Sequence, residues 1–332
     1  MIEKRTVFIL GAGASCPYGF LSARELRTDI VEHSRNRYET RFGLGAYAPE
    51  RIVNEYPEES VLGEFISAFG MSNTESIDLF LSRHPRFETI GKLAISMSIL
   101  SQENRSGFGE KAKKPEHDWY FYLYNKLMRE LTDKDGFEKF SANKIAFVTF
   151  NYDRSLEQFL FESLLHSFEA ADESKVIAQL CKVPIIHVYG KIAPLPGLTE
   201  GRTDAVPYDR QRDPAGYLTV GLLSTINNLY VVHEERANPE LEKVRMAIAG
   251  AERIFFLGFG YAKENLEALG LPEVLKRQHH IYGTALGLVE KEIGDIASYF
   301  DRALSSTGAQ FPPSERIHIR NCDCVRLLRE FL

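Results

Sequence analysis

Short apolar runs without polar alternation recur along the chain, and they constrain its fold more than any other feature. The runs are TVFILG at 6–11, KIAFVTF at 144–150, PIIHVYG at 184–190, RIFFLGFG at 253–260, IYGTALGLV at 281–289 and RIHI at 316–319. Their length and lack of alternation are typical of strands buried on both faces of a parallel sheet. Helical patterns lie between them, as in DRSLEQFLFESLLHSF at 153–168 and NPELEKVRMAIAG at 238–250. The sequence therefore predicts an α/β fold with a Rossmann-like, doubly wound parallel sheet.

A long stretch near the N-terminus interrupts this alternation. Residues 36–140 contain helical patterns such as SIDLFLSRH at 76–84 and IGKLAISMSILSQ at 90–102, and no convincing strand. We therefore predict a helical insertion over 36–140, between the first and second strands. Residues 1–35 and 141–332 would together form the Rossmann-like domain.

Composition and charge exclude several classes of protein. The net charge of −6 argues against a chain built to grip nucleic acid, which usually needs a basic face. No apolar run approaches eighteen residues, so we expect no membrane span. The first apolar run leads directly into folded-looking sequence, which favours a strand over a secretory signal. The four cysteines include no CxxC pair, so we expect no metal, and their scarcity fits a reducing cytoplasm.

The first predicted strand ends in a glycine turn, FILGAGAS at 8–15. Gly11 and Gly13 match the first two glycines of the G-x-G-x-x-G fingerprint, in which the backbone approaches a pyrophosphate at a helix N-terminus. Cys16 stands where the third glycine would fall, and Glu32 lies in a helical pattern rather than at the end of a second strand. A hydride-transferring Rossmann enzyme is therefore disfavoured. A glycine turn without a ligand remains the alternative.

Polar side chains also follow later strands, where open α/β sheets bind ligands. Asn151 and Asp153 come directly after the strand at 144–150, although either could instead cap the next helix. His187 and Tyr189 are two apart in a strand and are predicted to face the same side. His187 could be a general base or a satisfied core residue. Asn265 follows the Gly258–Gly260 turn and could meet a ligand or sit on a helix surface.

Taken in order, these segments resemble the sirtuin family, and in particular its prokaryotic sirtuin-like branch. The similar motifs are GAGAS at 11–15, TFNYD at 149–153, HVYG at 187–190, GFGY at 258–261 with EN at 264–265, NCDCVRLL at 321–328, and ESIDLFLSRHP at 75–85. The resemblance implies that Asn151 orients the ribose hydroxyls and a water beside the scissile bond of NAD. It also implies a set of NAD-binding residues, namely Gly11, Ala12, Gly13, Ala14 and Ser15 at the pyrophosphate, Asp153 at the nicotinamide amide, Gly258, Gly260, Tyr261 and Asn265 near the second phosphate and ribose, and Asp323 and Cys324 at the adenine edge.

The chain also departs from the family pattern. Phe150 stands where sirtuins have Gln, and Tyr189 stands where they have the catalytic His before the glycine. We therefore assign the base role to His187, the histidine available in this motif. The zinc-binding cysteines of the deacylases are absent, and that absence argues against deacylation because the zinc module helps to form the peptide groove.

The resemblance thus implies an NAD glycohydrolase that cleaves NAD, as substrate, to nicotinamide and ADP-ribose. It further implies an NAD-depleting effector in antiviral defence, restrained by homo-oligomer assembly or by a regulatory protein partner. Two alternatives remain open at this point. One is a non-catalytic module that senses NAD or ADP-ribose, and the other is a protein deacylase or ADP-ribosyltransferase.

Overall fold

A computed structural model of the protein describes residues 1–42, 59–74, 76–103, 108, 116–198, 205–208, 225–226, 228–230, 240–305 and 315–332. Among these residues, no helix combines the length and the apolar character needed to cross a membrane.

The predicted strands form one parallel sheet. They are β1 (Thr6–Leu10), β2 (Ile145–Thr149), β3 (Ile185–His187), β4 (Arg253–Leu257), β5 (His280–Thr284) and β6 (Ile317–Arg320). Their order across the sheet is β3-β2-β1-β4-β5-β6, with every neighbouring pair parallel. Helices flank this sheet, so the protein has the predicted α/β, Rossmann-like, doubly wound fold.

A row of aromatic rings fixes the register of the strands. Phe8 of β1 pairs with Phe147 of β2 on one side and with Phe255 of β4 on the other. The ring centroids lie 5.3 Å and 5.5 Å from that of Phe8. Tyr282 of β5 and His318 of β6 continue the row, at 4.6 Å and 5.5 Å from their neighbours. Slipping one strand by a residue would move its ring to the other face of the sheet, so the row selects a single register.

The described helices are α1 (Ala12–Ser15), α2 (Ala23–Phe42), α3 (Glu59–Met71), α4 (Ile77–Arg83), α5 (Glu88–Gln102), α6 (Trp119–Met128), α7 (Ser155–Ser167), α8 (Glu173–Leu180), α9 (Glu240–Gly250), α10 (Lys263–Ala268), α11 (Glu290–Ser305) and α12 (Cys324–Phe331). Short 3₁₀ turns follow α1 at Cys16–Tyr18, precede α5 at Pro85–Phe87 and precede β2 at Gly136–Ala142.

Side-chain caps set the starts of four of these helices. Ser76 accepts a hydrogen bond from the Leu79 amide at the start of α4, and Asp118 accepts one from the Phe121 amide at the start of α6. Asp172 and Asp323 do the same for α8 and α12. Each capping side chain accepts from a main-chain amide that has no partner inside its helix. The helix is therefore favoured to begin directly after the capping residue.

The helices between β1 and β2 form a segment that shares the core of the sheet. The predicted boundary at residues 35 and 36 falls inside α2, and the segment continues to the 3₁₀ turn that precedes β2. One hydrophobic cluster contains Phe65 and Leu93 of the segment together with Phe8 and Val148 of the sheet. The segment is therefore part of a common core rather than a separately packed insertion, because its apolar helix faces are buried against the same cluster.

Candidate functional site

A cleft of about 450 Å³ opens at the carboxyl ends of β1, β2 and β4. In this strand order β2 lies on one side of β1 and β4 lies on the other, so the direction of the strand order reverses at β1. Open α/β sheets bind ligands in the gap that such a reversal leaves, here beyond the carboxyl ends of β1 and β4. The volume is within the range of ligand pockets. Of the predicted site residues, those that line the cleft are Gly11, Ala12, Gly13, Ser15, Asn151, Asp153, Gly258, Gly260 and Asn265.

The two glycine turns at the floor of the cleft pack backbone against backbone. The Gly11 amide donates to the Leu257 carbonyl and the Gly13 amide to the Gly258 carbonyl, each at 3.0 Å. A Cβ atom on Gly11 would come within 2.5 Å of the Gly258 carbonyl oxygen, and Gly258 has a positive φ of 56°. These glycines therefore allow the turns after β1 and β4 to touch. The Gly11 and Gly13 amides thus have protein partners, while the expectation that the turn from Gly11 to Ser15 wraps a pyrophosphate stays a prediction.

Asn151 brings an unpartnered acceptor to the cleft. Its side-chain Nδ2 donates to the Gly11 carbonyl at 3.0 Å and to the Ser15 hydroxyl at 2.8 Å. Because the Gly11 carbonyl can only accept, the Asn151 side-chain nitrogen must face it. The orientation of the amide group is therefore fixed, and Oδ1 points away from Gly11. The residue is 9% exposed, and Oδ1 has no hydrogen-bond partner among the described residues. Buried acceptors are nearly always paired, so this atom is poised for a ligand or a water that can donate.

Asp153 lies beside Asn151 in a buried hydrogen-bond network. Its carboxylate accepts from the Ser155 amide at 3.0 Å and from the Ser155 hydroxyl, which also contacts the Tyr120 hydroxyl at 2.8 Å. Burial raises the pKa of Asp153 above its usual range, although hydrogen bonds from Ser155 and Ser15 oppose the shift. The helix-capping alternative thus describes Asp153, which bonds the amide at the start of α7, and it does not describe Asn151.

Aromatic side chains form one wall of the cleft. The Phe150 ring lies 5.5 Å from that of Tyr189 and 5.2 Å from that of Phe259, measured between centroids. The Tyr189 hydroxyl donates to Oδ1 of Asn265 at 3.0 Å. An apolar wall with a few fixed polar groups is typical of a small-molecule site that takes a planar ring.

The helical segment supplies Ser76 and Asp78, which line the cleft and which the sequence did not single out. The Tyr152 hydroxyl donates to the Asp78 carboxylate, and burial raises the pKa of that carboxylate above its usual range. The signal that could have found Asp78 was the ESIDLFLSRHP motif, in which Ser76 caps α4 and leaves Asp78 in the first turn.

His187 does not reach the cleft. Its Nδ1 lies 2.9 Å from the Asn151 main-chain carbonyl and its Nε2 lies 2.9 Å from the Glu157 carboxylate. β3 ends at His187, and the chain then turns through Gly190 at a φ of 73°, so Tyr189 faces the cleft and His187 does not. The prediction that the two side chains share a face is therefore wrong, because the strand alternation on which it rested stops between them. The predicted base role for His187 loses its geometric support with it.

Four other predicted residues also lie outside the cleft lining. Ala14 is buried, and its carbonyl accepts from the Trp119 indole at 2.8 Å. The Tyr261 hydroxyl turns toward β5 and donates to the Thr284 carbonyl at 3.1 Å. Asp323 caps α12 and contacts His117, while Cys324 is buried in the first turn of that helix. Their structural roles account for these residue types without a ligand.

No group of three or more His, Cys, Asp or Glu side chains in the described part of the chain is arranged to hold a metal ion.

Neither the comparison with protein-family models nor the search of curated proteins gives a match for this chain.

Proposed function

We propose that this protein is an NAD glycohydrolase, which cleaves NAD between nicotinamide and ribose. The observation that carries the proposal is Asn151, a residue of the cleft lining whose buried Oδ1 has no hydrogen-bond partner among the described residues. A ribose hydroxyl or a bound water can donate to this atom, and both are needed beside a scissile N-glycosidic bond. The resemblance of the TFNYD motif to the sirtuin asparagine supports the same role.

The arrangement of the walls supports this choice of substrate. The rings of Phe150, Tyr189 and Phe259 can pack against a pyridine ring and exclude water from it. Among the described residues, Asp78, Asp153 and Glu264 place three carboxyl groups in the lining. When ionised, they favour a positive charge, such as that of the oxidised nicotinamide ring or of the ribosyl cation that forms as the ring leaves.

Cleavage passes through an oxocarbenium-like ribose, as in other glycoside hydrolyses. The electron pair of the bond between ribose C1 and the ring nitrogen stays with nicotinamide, which departs as a neutral molecule and needs no acid. Water then adds to C1, and its proton passes to an ionised carboxylate of the lining or to solvent water. Asn151 Oδ1 holds the water or the ribose in place, and the carboxylates stabilise the developing charge.

The test is incubation of the purified protein with NAD, with the products separated by chromatography. We expect nicotinamide and ADP-ribose from the wild type, and a loss of about 100-fold or more in Asn151→Ala, the size expected when a preorganised polar group is removed. Asn125→Ala is the matched control, because Asn125 is an exposed asparagine on α6 whose side chain donates to the Phe121 carbonyl of its own helix. Equal turnover in wild type and Asn151→Ala would contradict the proposal.

One observation favours a second candidate, a module that binds NAD or ADP-ribose without cleaving it. Among the described residues that line the cleft, none is His, so the groups that could act as a general base there are the carboxyl groups of Asp78, Asp153 and Glu264. Burial raises the pKa of Asp78 and Asp153 above the usual range, which favours the neutral form of each, and a neutral carboxyl group cannot accept the proton. Calorimetric titration distinguishes the two candidates. Saturable binding without products, lost in Asn151→Ala, identifies the sensing module. Depletion of NAD in antiviral defence, as the sirtuin resemblance implies, is proposed together with the hydrolase activity.

A further inference from the structure

Asn151 lies in a connection of irregular backbone. β2 ends at Thr149 and α7 begins at Ser155, and residues 150–154 between them belong to no helix or strand. Such a connection lacks the repeating main-chain hydrogen bonds of a helix or a strand, so other contacts must fix its shape. The position of the Asn151 side chain in the cleft therefore depends on what holds the residues beside it.

Tyr152, the next residue, joins this connection to the helical segment. Tyr152 is buried, and its hydroxyl donates to the carboxyl group of Asp78 in the first turn of α4. Its main-chain carbonyl accepts from the Ile192 amide at 3.1 Å. α4 has a fixed place of its own, because Phe80 and Leu81 are buried in the common core. The Tyr152 hydroxyl thus holds the connection to a helix that packing already positions.

The Asn151 side chain is held from a different element. Its Nδ2 donates to the Gly11 carbonyl at 3.0 Å and to the Ser15 hydroxyl at 2.8 Å, and both partners lie directly after β1. These two bonds set the direction of the amide group, and they form only while the main chain at position 151 stays within their reach. A tie to α4 at the adjacent residue restricts the main chain at this point.

We propose that Tyr152 and Asp78 are positioning residues, whose hydrogen bond fixes the main chain beside Asn151 and so holds the Asn151 amide in the cleft with Oδ1 available to a ligand. The bond needs an acceptor oxygen at position 78, and a carboxyl group provides one whether or not it is ionised. The proposal rests on the proposed function only for its effect on NAD cleavage. The positioning itself is a property of the folded protein.

Tyr152→Phe tests the bond, because it removes the hydroxyl and keeps the ring. Tyr124→Phe is the matched control. Tyr124 is a buried tyrosine on α6 outside the cleft lining, and its hydroxyl donates to the Ser163 carbonyl at 3.0 Å. Both variants lose one buried hydroxyl, so they differ in whether that hydroxyl holds the connection that carries Asn151.

The first measurement is hydrogen exchange of the Asn151 side-chain amide by ¹⁵N NMR, with its signals assigned by their loss in Asn151→Ala. We expect exchange about 10-fold faster in Tyr152→Phe than in the wild type, the factor that matches the loss of one buried hydrogen bond. Exchange in Tyr124→Phe should equal that of the wild type. Equal exchange in the wild type and Tyr152→Phe would overturn the proposal.

Two substitutions of Asp78 separate the hydrogen bond from the charge. Asp78→Asn keeps an oxygen that accepts from the Tyr152 hydroxyl, whereas Asp78→Ala removes the acceptor. We expect the Asn151 amide to exchange slowly in Asp78→Asn, as in the wild type, and as fast in Asp78→Ala as in Tyr152→Phe. Fast exchange in both variants would show that the hydrogen bond is not what holds the connection, and would overturn the proposal.

The second measurement is NAD cleavage in a double-mutant cycle. Tyr152→Phe should lower the turnover of the wild type about 10-fold and leave the residual turnover of Asn151→Ala unchanged, because its effect passes through Asn151. A structural role separate from Asn151 lowers turnover by the same factor in both backgrounds, and that result would overturn the proposal. If the wild type cleaves no NAD, the proposed function fails, while the exchange rates still decide the positioning.

Discussion

At the scale of single residues, Asp153 is a carboxyl group in a place where burial disfavours the charged form. The carboxyl group is buried at the floor of the cleft, and its pKa is raised mainly by the loss of water around it. The native state therefore binds the Asp153 proton more tightly than the unfolded chain does. At neutral pH, well above the ordinary pKa of Asp, this difference lowers the stability of the fold.

We expect Asp153→Asn to raise the free energy of unfolding at neutral pH by about 1 kcal/mol, the usual size of such gains at functional sites. The gain should vanish as the pH falls below about 3.9, the ordinary value for Asp, where both states of the wild type are protonated. Denaturant titration at neutral and acid pH measures both points. The same variant should lose NAD cleavage, because the carboxylate is then absent.

Asp172→Asn is the matched control for this prediction. Asp172 is an exposed cap at the start of α8, and its pKa is lowered, first by the Ser174 hydroxyl and then by the Lys175 amide. The charged form is favoured there, so the same substitution should bring no gain in stability. A gain in Asp172→Asn equal to that in Asp153→Asn would show that burial is not the cause.

The sequence placed Asn151 and Asp153 directly after a buried parallel strand, and both line the cleft at the carboxyl end of that strand. It could not predict which of His187 and Tyr189 faces the cleft. That depends on the residue at which β3 ends, and the apolar run continues past this point. Asp78 was missed for a different reason, since its helix reaches the cleft only through long-range packing.

At the scale of elements, the two glycine turns act as one interlocked unit. Gly258 has a positive φ, and a Cβ atom there would overlap the amide nitrogen of Ala14. The sequence showed that both turns need glycine. It did not show that the two turns pack against each other and so require each other's glycines, because this contact joins residues far apart in the chain.

We expect Gly258→Ala to lower the free energy of unfolding by about 3 kcal/mol, since both the backbone conformation and the space exclude a side chain. Gly260→Ala in the same turn is the control, because nothing lies within 4 Å of a Cβ atom at that position. Thermal and denaturant unfolding of the two variants compares them. Equal losses of unfolding free energy in the two variants would mean that the turn accommodates a side chain at position 258. The close packing of the two turns would then not contribute to stability.

At the scale of the whole molecule, the helical segment and the sheet are expected to unfold together. The two share one hydrophobic cluster. The buried pair of Arg154 and Glu103, with nitrogen–oxygen distances of 2.9 Å and 2.6 Å, links the start of α7 to the end of α5. Trp119, the single tryptophan, lies in the segment and bonds the glycine turn of the sheet through Ala14.

Trp119 fluorescence should therefore follow the same denaturation curve as the far-ultraviolet circular dichroism of the whole chain. The reason is that the segment cannot lose its packing without exposing the sheet. A fluorescence transition at lower denaturant than the dichroism transition would contradict this, and would indicate that the helical segment unfolds independently of the sheet.

The position of β1 at the centre of the sheet has a consequence for synthesis on the ribosome. β1 lies between β2 and β4, yet Thr6 of β1 and Arg253 of β4 are 247 residues apart in the chain. At usual translation rates, roughly 12 to 50 seconds separate the emergence of these two strands. During that interval the edge of β1 that pairs with β4 has no partner strand, so a nascent chain needs protection from aggregation until β4 arrives.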